Sequence, residues 1–304
     1  MDFNVTILGS NSAAPAHGRN QTSQLVNWGQ QTFLVDCGES TQFQLRKFRI
    51  KYSKVDHIFI SHLHGDHYLG LMGLISTFHL NNRESPLHIY GPNGLDEIIS
   101  IQLKYSGIAL KYPLIFNPTH QTGKDQLLDL AGLNIFSFPL KHRIPCTGFS
   151  FEEKNKRVKL KKEMVLKYKP GIEAIRTLLR DQDVKNMKGE IIFKKEDFCI
   201  IKPPRKYAYC SDTKFDREVV SHIARADLLY HESTFMEAER ERATLTCHST
   251  TTDAATIGKM AQVKQLLLGH YSVRYFDLNP LLEEAKKTFA PSMLSEEGKT
   301  YEIR

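Results

Sequence analysis

One seven-residue string, Ser61-His62-Leu63-His64-Gly65-Asp66-His67, constrains this chain more than any other. His62, His64, Asp66 and His67 fall within six consecutive positions. All four side chain types bind divalent metals, and N/O donors of this kind suit zinc. The preceding Val55-Asp56-His57-Ile58-Phe59-Ile60 reads as a short buried strand, and the apolar run over residues 68–75 reads as a helix. The cluster then occupies a strand-to-helix turn. There neighbouring side chains converge on one point, whereas a continuous strand sends them to opposite faces. A closed structural zinc site usually draws on Cys, and this cluster has none. Imidazoles and a carboxylate suit a catalytic metal with open positions. His62 and His64, two apart, can share one ion, which leaves Asp66 and His67 for a second. The competing reading, a surface His-rich loop without metal, fits a lone His better than four ligand types between a strand and a helix.

The pattern His-x-His-x-Asp-His after an apolar strand resembles the signature of the metallo-β-lactamase superfamily. The resemblance implies an α/β fold, a four-layer αβ/βα sandwich with two metals at one edge of its sheets. Such a site needs ligands from further along the chain. His142 follows the strand-like 133–138, Asp212 follows Tyr207-Ala208-Tyr209-Cys210-Ser211, and His270 follows Gln265-Leu266-Leu267-Leu268-Gly269. Each lies where an apolar run ends, a common place for site residues on a rigid scaffold.

Further strings narrow the family: His231-Glu232-Ser233-Thr234, His248-Ser249-Thr250, Gly269-His270-Tyr271-Ser272-Val273-Arg274-Tyr275, the N-terminal Leu8-Gly9-Ser10-Asn11-Ser12-Ala13-Ala14-Pro15 and Val35-Asp36-Cys37-Gly38-Glu39. Together they resemble tRNase Z (ribonuclease Z), the endonuclease family that trims the 3′ trailer from precursor tRNA. The likeness runs from about residue 8 to about residue 275, except the middle of the chain. It implies two Zn2+ per chain, one on His62, His64 and His142, the other on Asp66, His67 and His270, with Asp212 bridging. It also implies products ending in a tRNA 3′-hydroxyl and a trailer 5′-phosphate; acid–base chemistry at such a site makes Asp66 the candidate general base and His248, its ring held by Glu232, the candidate leaving-group acid. At 304 residues the chain resembles the short form, which implies a homodimer acting on precursor tRNA.

Each role has a plainer competitor. Glu232 and His248 can be an ordinary surface ion pair, and Arg274 a solvated charge in place of a phosphate contact. Ser249, Thr250 and Ser272 can donate to phosphate, or simply cap a helix. Asp36 reads as a buried carboxylate tying loops near the site. His57, His79, His88 and His120 fit no ligand pattern. Other enzymes on this scaffold act on small phosphodiesters or esters, and a non-catalytic RNA-binding scaffold is the remaining alternative.

The candidate ligands come from both halves of the chain, so residues 1–304 read as one composite domain with an insertion. Five cysteines without a CxxC pair, and no basic leader followed by an apolar stretch, read as free thiols in the cytoplasm. No apolar run approaches the length of a membrane span. The net charge of +7 is compatible with nucleic acid without being diagnostic of it.

Its distribution is more telling. Lys154, Lys156, Arg157, Lys159, Lys161, Lys162, Lys167 and Lys169 cluster within about residues 150–200, with Glu163 the only acid among them. A charge run is usually a solvated face. Beside a phosphodiesterase-like site it reads as a phosphate-binding arm, with Lys156, Lys159, Lys161 and Lys162 as contacts. The family carries such a flexible arm to grip tRNA. The Gly-Pro-rich tip common in short forms is missing here. Within the arm the pattern predicts a β-segment over 149–152, a helix from Gly171 through Arg180, a helical turn from Asp183 to Met187, and a strand over 190–193.

Overall fold

The computed structural model describes residues 1–304. The chain falls into two compact units, one made of Met1–Asp129, Asn134–Phe151 and Lys206–Arg304, the other of Leu130–Leu133 and Glu152–Arg205.

The larger unit holds two seven-stranded sheets. Across the first, the strands run Thr300–Glu302, Phe3–Gly9, Ser23–Trp28, Gln31–Cys37, Val55–Phe59, Leu87–Gly91 and Leu114–Pro118. The last four of these are parallel neighbours. Across the second, the order is Ser292–Leu294, Leu266–Gly269, Leu228–Glu232, Lys206–Cys210, Cys146–Glu153, Leu133–Leu140 and Asp125–Asp129, with the first four again parallel.

Alternation along the strands sets the layers. Phe33 and Leu34 are both fully buried, as are Ile58 and Phe59, so these strands carry apolar groups on both faces, as parallel strands covered twice must. Phe33 and Phe59 face the other sheet, with ring centroids 5.5 Å from Phe151 and Phe149 respectively. Each such ring pair adds about 0.5–1.5 kcal/mol beyond its buried area. Leu34, Ile58 and Ile89 face outward onto Leu45, Leu74 and Ile99 of the helices Thr41–Lys47, Leu71–Leu80 and Leu95–Ser106. On the second sheet, Ala208, Leu229 and Leu266 pack beneath Ile223, Ile257 and Leu281 of Val219–Ile223, Thr251–Met260 and Asn279–Thr288. The result is helix, sheet, sheet, helix. No helix is long and apolar enough to cross a membrane, and all five cysteines are free.

Two local expectations need correction. The helix after the metal-ligand string begins inside it, at Gly65–Tyr68, breaks, and resumes as Leu71–Leu80. Gly70 is the reason. A Cβ there would lie 2.1 Å from the Gly38 carbonyl oxygen, so the break is where one backbone rests on another. The helical turn expected from Asp183 to Met187 is a β-hairpin, Val184–Lys185 against Ile191–Phe193. The Asn186 side-chain oxygen accepts from the amides of Lys188 and Glu190, and Gly189 takes a positive φ of 83°. That closes a turn where a helix would have to continue.

The smaller unit has its own core of Leu178, Val184, Phe198 and Cys199. Its basic run is partly strand, Arg157–Leu160 paired antiparallel with Cys199–Lys202. Val158 and Leu160 pack against that core while Lys159 is exposed, which is ordinary strand alternation. At its root Arg205 grips the Glu153 carboxylate, with Nε 3.0 Å from Oε2 and a terminal nitrogen 2.7 Å from Oε1.

Candidate metal centre

Neighbouring parallel strands end at one edge, and the expected ligands lie just past those ends. The register pairs Cys210 with His231 and Glu232 with Gly269, so Asp212, Glu232 and His270 emerge side by side. His62, His64, Asp66 and His67 follow the strand Val55–Phe59, and His142 follows Leu133–Leu140. Except for His142, which follows an antiparallel strand, the candidate ligands lie past the carboxyl ends of parallel strands, as sites do in open α/β sheets generally.

The donor atoms form two groups. His62, His64, His142 and Asp212 make one, and Asp66, His67 and His270 make the other, with ligand atoms in each within 4.8 Å of one another. Asp212 joins them: Oδ2 lies 3.4 Å from His62 Nε2 and 3.7 Å from His142 Nε2, while Oδ1 lies 3.4 Å from His67 Nε2 and 3.1 Å from His270 Nε2. Asp66 Oδ2 stands 3.5 Å from both His67 Nε2 and His270 Nε2.

The opposite ring nitrogens fix the tautomers. His142 Nδ1 is 3.0 Å from the Cys247 carbonyl and His67 Nδ1 is 2.7 Å from Asp36 Oδ2; both partners only accept. Ser61 Oγ donates to Asp36 and so accepts from His62 Nδ1. Thr234 Oγ1 donates to Glu232 and so accepts from His270 Nδ1. Whenever these rings are neutral, four imidazoles therefore carry their proton on Nδ1 and turn Nε2 lone pairs inward. Those nitrogens crowd together: His62 Nε2 and His142 Nε2 lie 3.0 and 3.1 Å from His64 Nδ1, and His67 Nε2 lies 3.3 Å from His270 Nε2. Lone pairs at that spacing repel unless a proton or a metal cation sits between them. Ligand nitrogens at the edge of a zinc tetrahedron are about 3.3 Å apart. The donor set fits two divalent cations sharing one carboxylate.

Charge agrees with that fit. Burial pushes His64 and His142 down to about 4, so both are neutral, and free to accept a cation, at working pH. Burial also works against charge on His67, yet Asp212, Asp66 and Asp36 hold its imidazole well above the usual histidine range. Burial would raise Asp66 and Asp212, but the surrounding imidazoles, His67 and His270 prominent among them, keep both below the usual carboxylate range. A proton drawn to His67 occupies the place where a cation would bind.

The supports come from residues without an obvious chemical signature. Asp36, fully buried at φ 54°, accepts from the Ser61 amide and hydroxyl, from His67, and from Tyr209 OH at 2.6 Å. Tyr209 belongs to the second sheet and Asp36 to the first, so one hydroxyl ties both to a metal ligand. The Ala13 amide donates to Asp66 Oδ2 at 2.7 Å. Ala13, Asp36, Cys247 and His270 all have positive φ, between 54° and 58°. A non-glycine residue held there costs about 1–3 kcal/mol, and such strain gathers at functional sites.

Glu232 and His248 are no surface ion pair. The glutamate side chain is wholly buried and the histidine 10% exposed, with His248 Nδ1 2.8 Å from Glu232 Oε1. Thr213 and Thr234 amides and the Thr234 hydroxyl donate to the same carboxylate. Burial disfavours the imidazolium, but Glu232 more than offsets that and lifts His248 to about 9. The geometry also admits His248 with Asp212 and His270 as a third ligand group. A protonated ring tied to a carboxylate and bordering the cleft is placed to act as an acid.

The substrate-contact expectations fare differently. Ser249 and Thr250 are fully buried. Ser249 Oγ donates to the Thr213 carbonyl, and Thr250 caps Thr251–Met260 in a capping box with Asp253. Their hydroxyls are committed to the fold, Ser249 to a carbonyl and Thr250 to a helix cap, in place of phosphate contact. Ser272 is 7% exposed, and its Oγ accepts from the Arg274 amide. Arg274 is exposed and does not line the cleft over the ligands. In the smaller unit Lys156, Lys159 and Lys162 are exposed, while Lys161 donates to the Glu196 carbonyl at 2.9 Å. His57 and His88 stack on each other on adjacent strands, and neither they nor His79 and His120 join a ligand group. The cleft itself, about 320 Å³, is bounded by Asp66, Asp212, His248 and His270 together with Ala13 and Arg143. Sequence reasoning passed over Arg143; its one signal was its place beside a candidate ligand.

Comparison with known proteins accords with this geometry. A family model described as "Anti-Pycsar protein Apyc1" matches residues 3–111, under half of the chain. A protein named Ribonuclease Z from Bacteroides fragilis is 43% identical over 296 residues, covering 97% of each chain. The crystal structure of human tRNase Z, short form, superposes with a TM-score of 0.74 at 27% identity, covering 99% of both chains. A metallo-β-lactamase fold protein, YhfI from Bacillus subtilis, superposes with a TM-score of 0.69 at 18% identity, covering 99% of this chain and all of that one. The two helix-flanked sheets are thus the metallo-β-lactamase fold.

Proposed function

Because the chain belongs to the ribonuclease Z family, we propose that it is a zinc-dependent endoribonuclease that removes the 3′ trailer from precursor tRNA. The observation that carries this reading is His248, held by the buried Glu232, bordering the same cleft as His64, Asp66, Asp212 and His270 of the seven converging candidate ligands. Metal-site hydrolysis in general needs the ligands; expelling a ribose alkoxide also needs an acid.

His62, His64, His142 and Asp212 Oδ2 would hold one zinc, and Asp66, His67, His270 and Asp212 Oδ1 the other. When bound, two such ions would supply Lewis acidity, lowering the pKa of water and offsetting negative charge at the phosphate. Asp66 uses Oδ2 for the metal-facing contacts and the Ala13 amide. Its Oδ1 has no partner within the chain, and it takes the proton of the attacking water. His248 donates its Nε2 proton to the departing ribose 3′-oxygen, with Glu232 holding Nδ1. The new bond joins water oxygen to phosphorus and the broken one is phosphorus to O3′. The tRNA leaves with a 3′-hydroxyl and the trailer with a 5′-phosphate.

The unit over Glu152–Arg205 would serve as the tRNA-gripping arm of one composite domain. Its exposed Lys156, Lys159 and Lys162 would contact phosphates, because folded RNA offers backbone more readily than base edges. On the family likeness we expect a homodimer working in the cytoplasm. The test is cleavage of 5′-labelled precursor tRNA with mapping of the cut and its ends. One cut at the trailer junction, leaving 3′-hydroxyl and 5′-phosphate, is expected. A chain that turns over bis(p-nitrophenyl) phosphate and leaves precursor tRNA intact is instead a small-phosphodiester hydrolase.

A further inference from the structure

The wall of the cleft has an imbalance of charge. Three carboxylates line it, Glu39, Asp66 and Asp212, and Arg143 is the single Lys or Arg among the lining residues. A phosphodiester is an anion and gains negative charge as the nucleophile adds. Apart from metal ions, only Arg143 offers it a charge that no working pH removes.

The surrounding chain points Arg143 toward that role. On one side His142 is fixed through Nδ1 to the Cys247 carbonyl. Before it, the Lys141 amide donates to Thr213 Oγ1. The Lys141 ammonium pairs with Asp216 at 3.0 Å and Glu218 at 2.9 Å. Of these two neighbouring cations, then, Lys141 is paired away and Arg143 has no ion pair or side-chain hydrogen bond within the chain. Its backbone is anchored one residue from a ligand, its guanidinium is exposed, and it borders the space over Asp66 and Asp212. Arg274, the arginine of the motif, has no place in that lining.

We infer that Arg143 is a catalytic residue that binds the scissile phosphate, its guanidinium fork donating to the two non-bridging oxygens. This rests on the phosphodiesterase reading above. A fork matches two phosphate oxygens at once, which an ammonium does not.

Arg143→Ala and Arg143→Lys test it, with metal content and circular dichroism confirming intact folded protein. Arg143→Ala is expected to lower kcat/KM by roughly 10²-fold on both precursor tRNA and bis(p-nitrophenyl) phosphate, the usual scale for losing a transition-state donor. Inhibition by inorganic phosphate should weaken with it. Arg143→Lys should recover part of the rate, and added guanidinium ion should partly rescue Arg143→Ala where added zinc does not. The inference is overturned if Arg143→Ala stays within threefold of the parent on both substrates. Loss on tRNA alone, or loss that tracks lost metal, overturns it equally, since those place Arg143 on the RNA body or behind His142. Failure of the parent protein on both substrates would sink the enzymatic reading itself, a separate result.

Discussion

The two units of this molecule differ in how tightly their residues are tied down. In the larger one four of the five candidate ligand imidazoles have a named partner on the other nitrogen: Asp36 for His67, Ser61 for His62, the Cys247 carbonyl for His142 and Thr234 for His270. In the smaller one a short apolar core carries two-stranded ribbons whose lysines face water. Chemistry at a phosphorus atom demands atoms placed within a fraction of an ångström. Gripping a folded RNA demands positive charge of about the right density, and tolerates much looser placement. The contrast teaches that changes in the ligand unit should act on every substrate, and changes in the inserted unit on tRNA alone.

The largest effect is expected at Asp66. Asp66→Ala removes a ligand and the proposed base together, and should reduce cleavage of both substrates by at least ~10³-fold. Ordinary turnover by a folded Asp66→Ala protein would break the assignment. His248→Ala should cost about 10²–10⁴-fold in kcat while leaving metal content unchanged; loss of a metal with it would make His248 a ligand instead. Next comes the support behind His67. Asp36→Ala should weaken metal affinity about 10–100-fold, read by chelator competition, and unchanged affinity would mean that the buried carboxylate is dispensable. The smallest effect belongs to the arm. Replacing Lys156, Lys159 and Lys162 by Gln should weaken tRNA binding about tenfold and flatten its salt dependence by up to ~0.7–0.9 in slope for each phosphate no longer neutralised. Turnover of bis(p-nitrophenyl) phosphate should hold within about twofold. Equal loss on both substrates would erase the distinction between the units.

The same contrast explains what could be read from the amino-acid sequence. The converging donor groups were legible because few residue types bind metal, and these stood at the ends of apolar runs. Glu232 and His248 were legible through their strings. Their buried geometry was not, because it depends on the Thr213 amide and the Thr234 hydroxyl as well as on the pair. Tyr209 and the Ala13 amide left no trace, since a tyrosine in a strand and a backbone N–H carry no chemical label. The inserted unit was legible as charge and poorly as shape. Residues 183–187 look helical until Asn186 is seen closing a hairpin, and the expected break-free helix after His67 fails on one glycine. Ser249 and Thr250 read equally as phosphate donors or as caps, because a hydroxyl has the same composition whether it faces a ligand, a carbonyl or a helix end.

The central claim is a pair of cation sites sharing Asp212, and metal content per chain tests it most directly. Protein purified without chelator, measured by elemental analysis beside its cleavage activity, should hold two divalent ions per chain. Asp212→Ala should lose at least one of them together with activity. A fully active chain carrying a single ion, or none, would contradict the account.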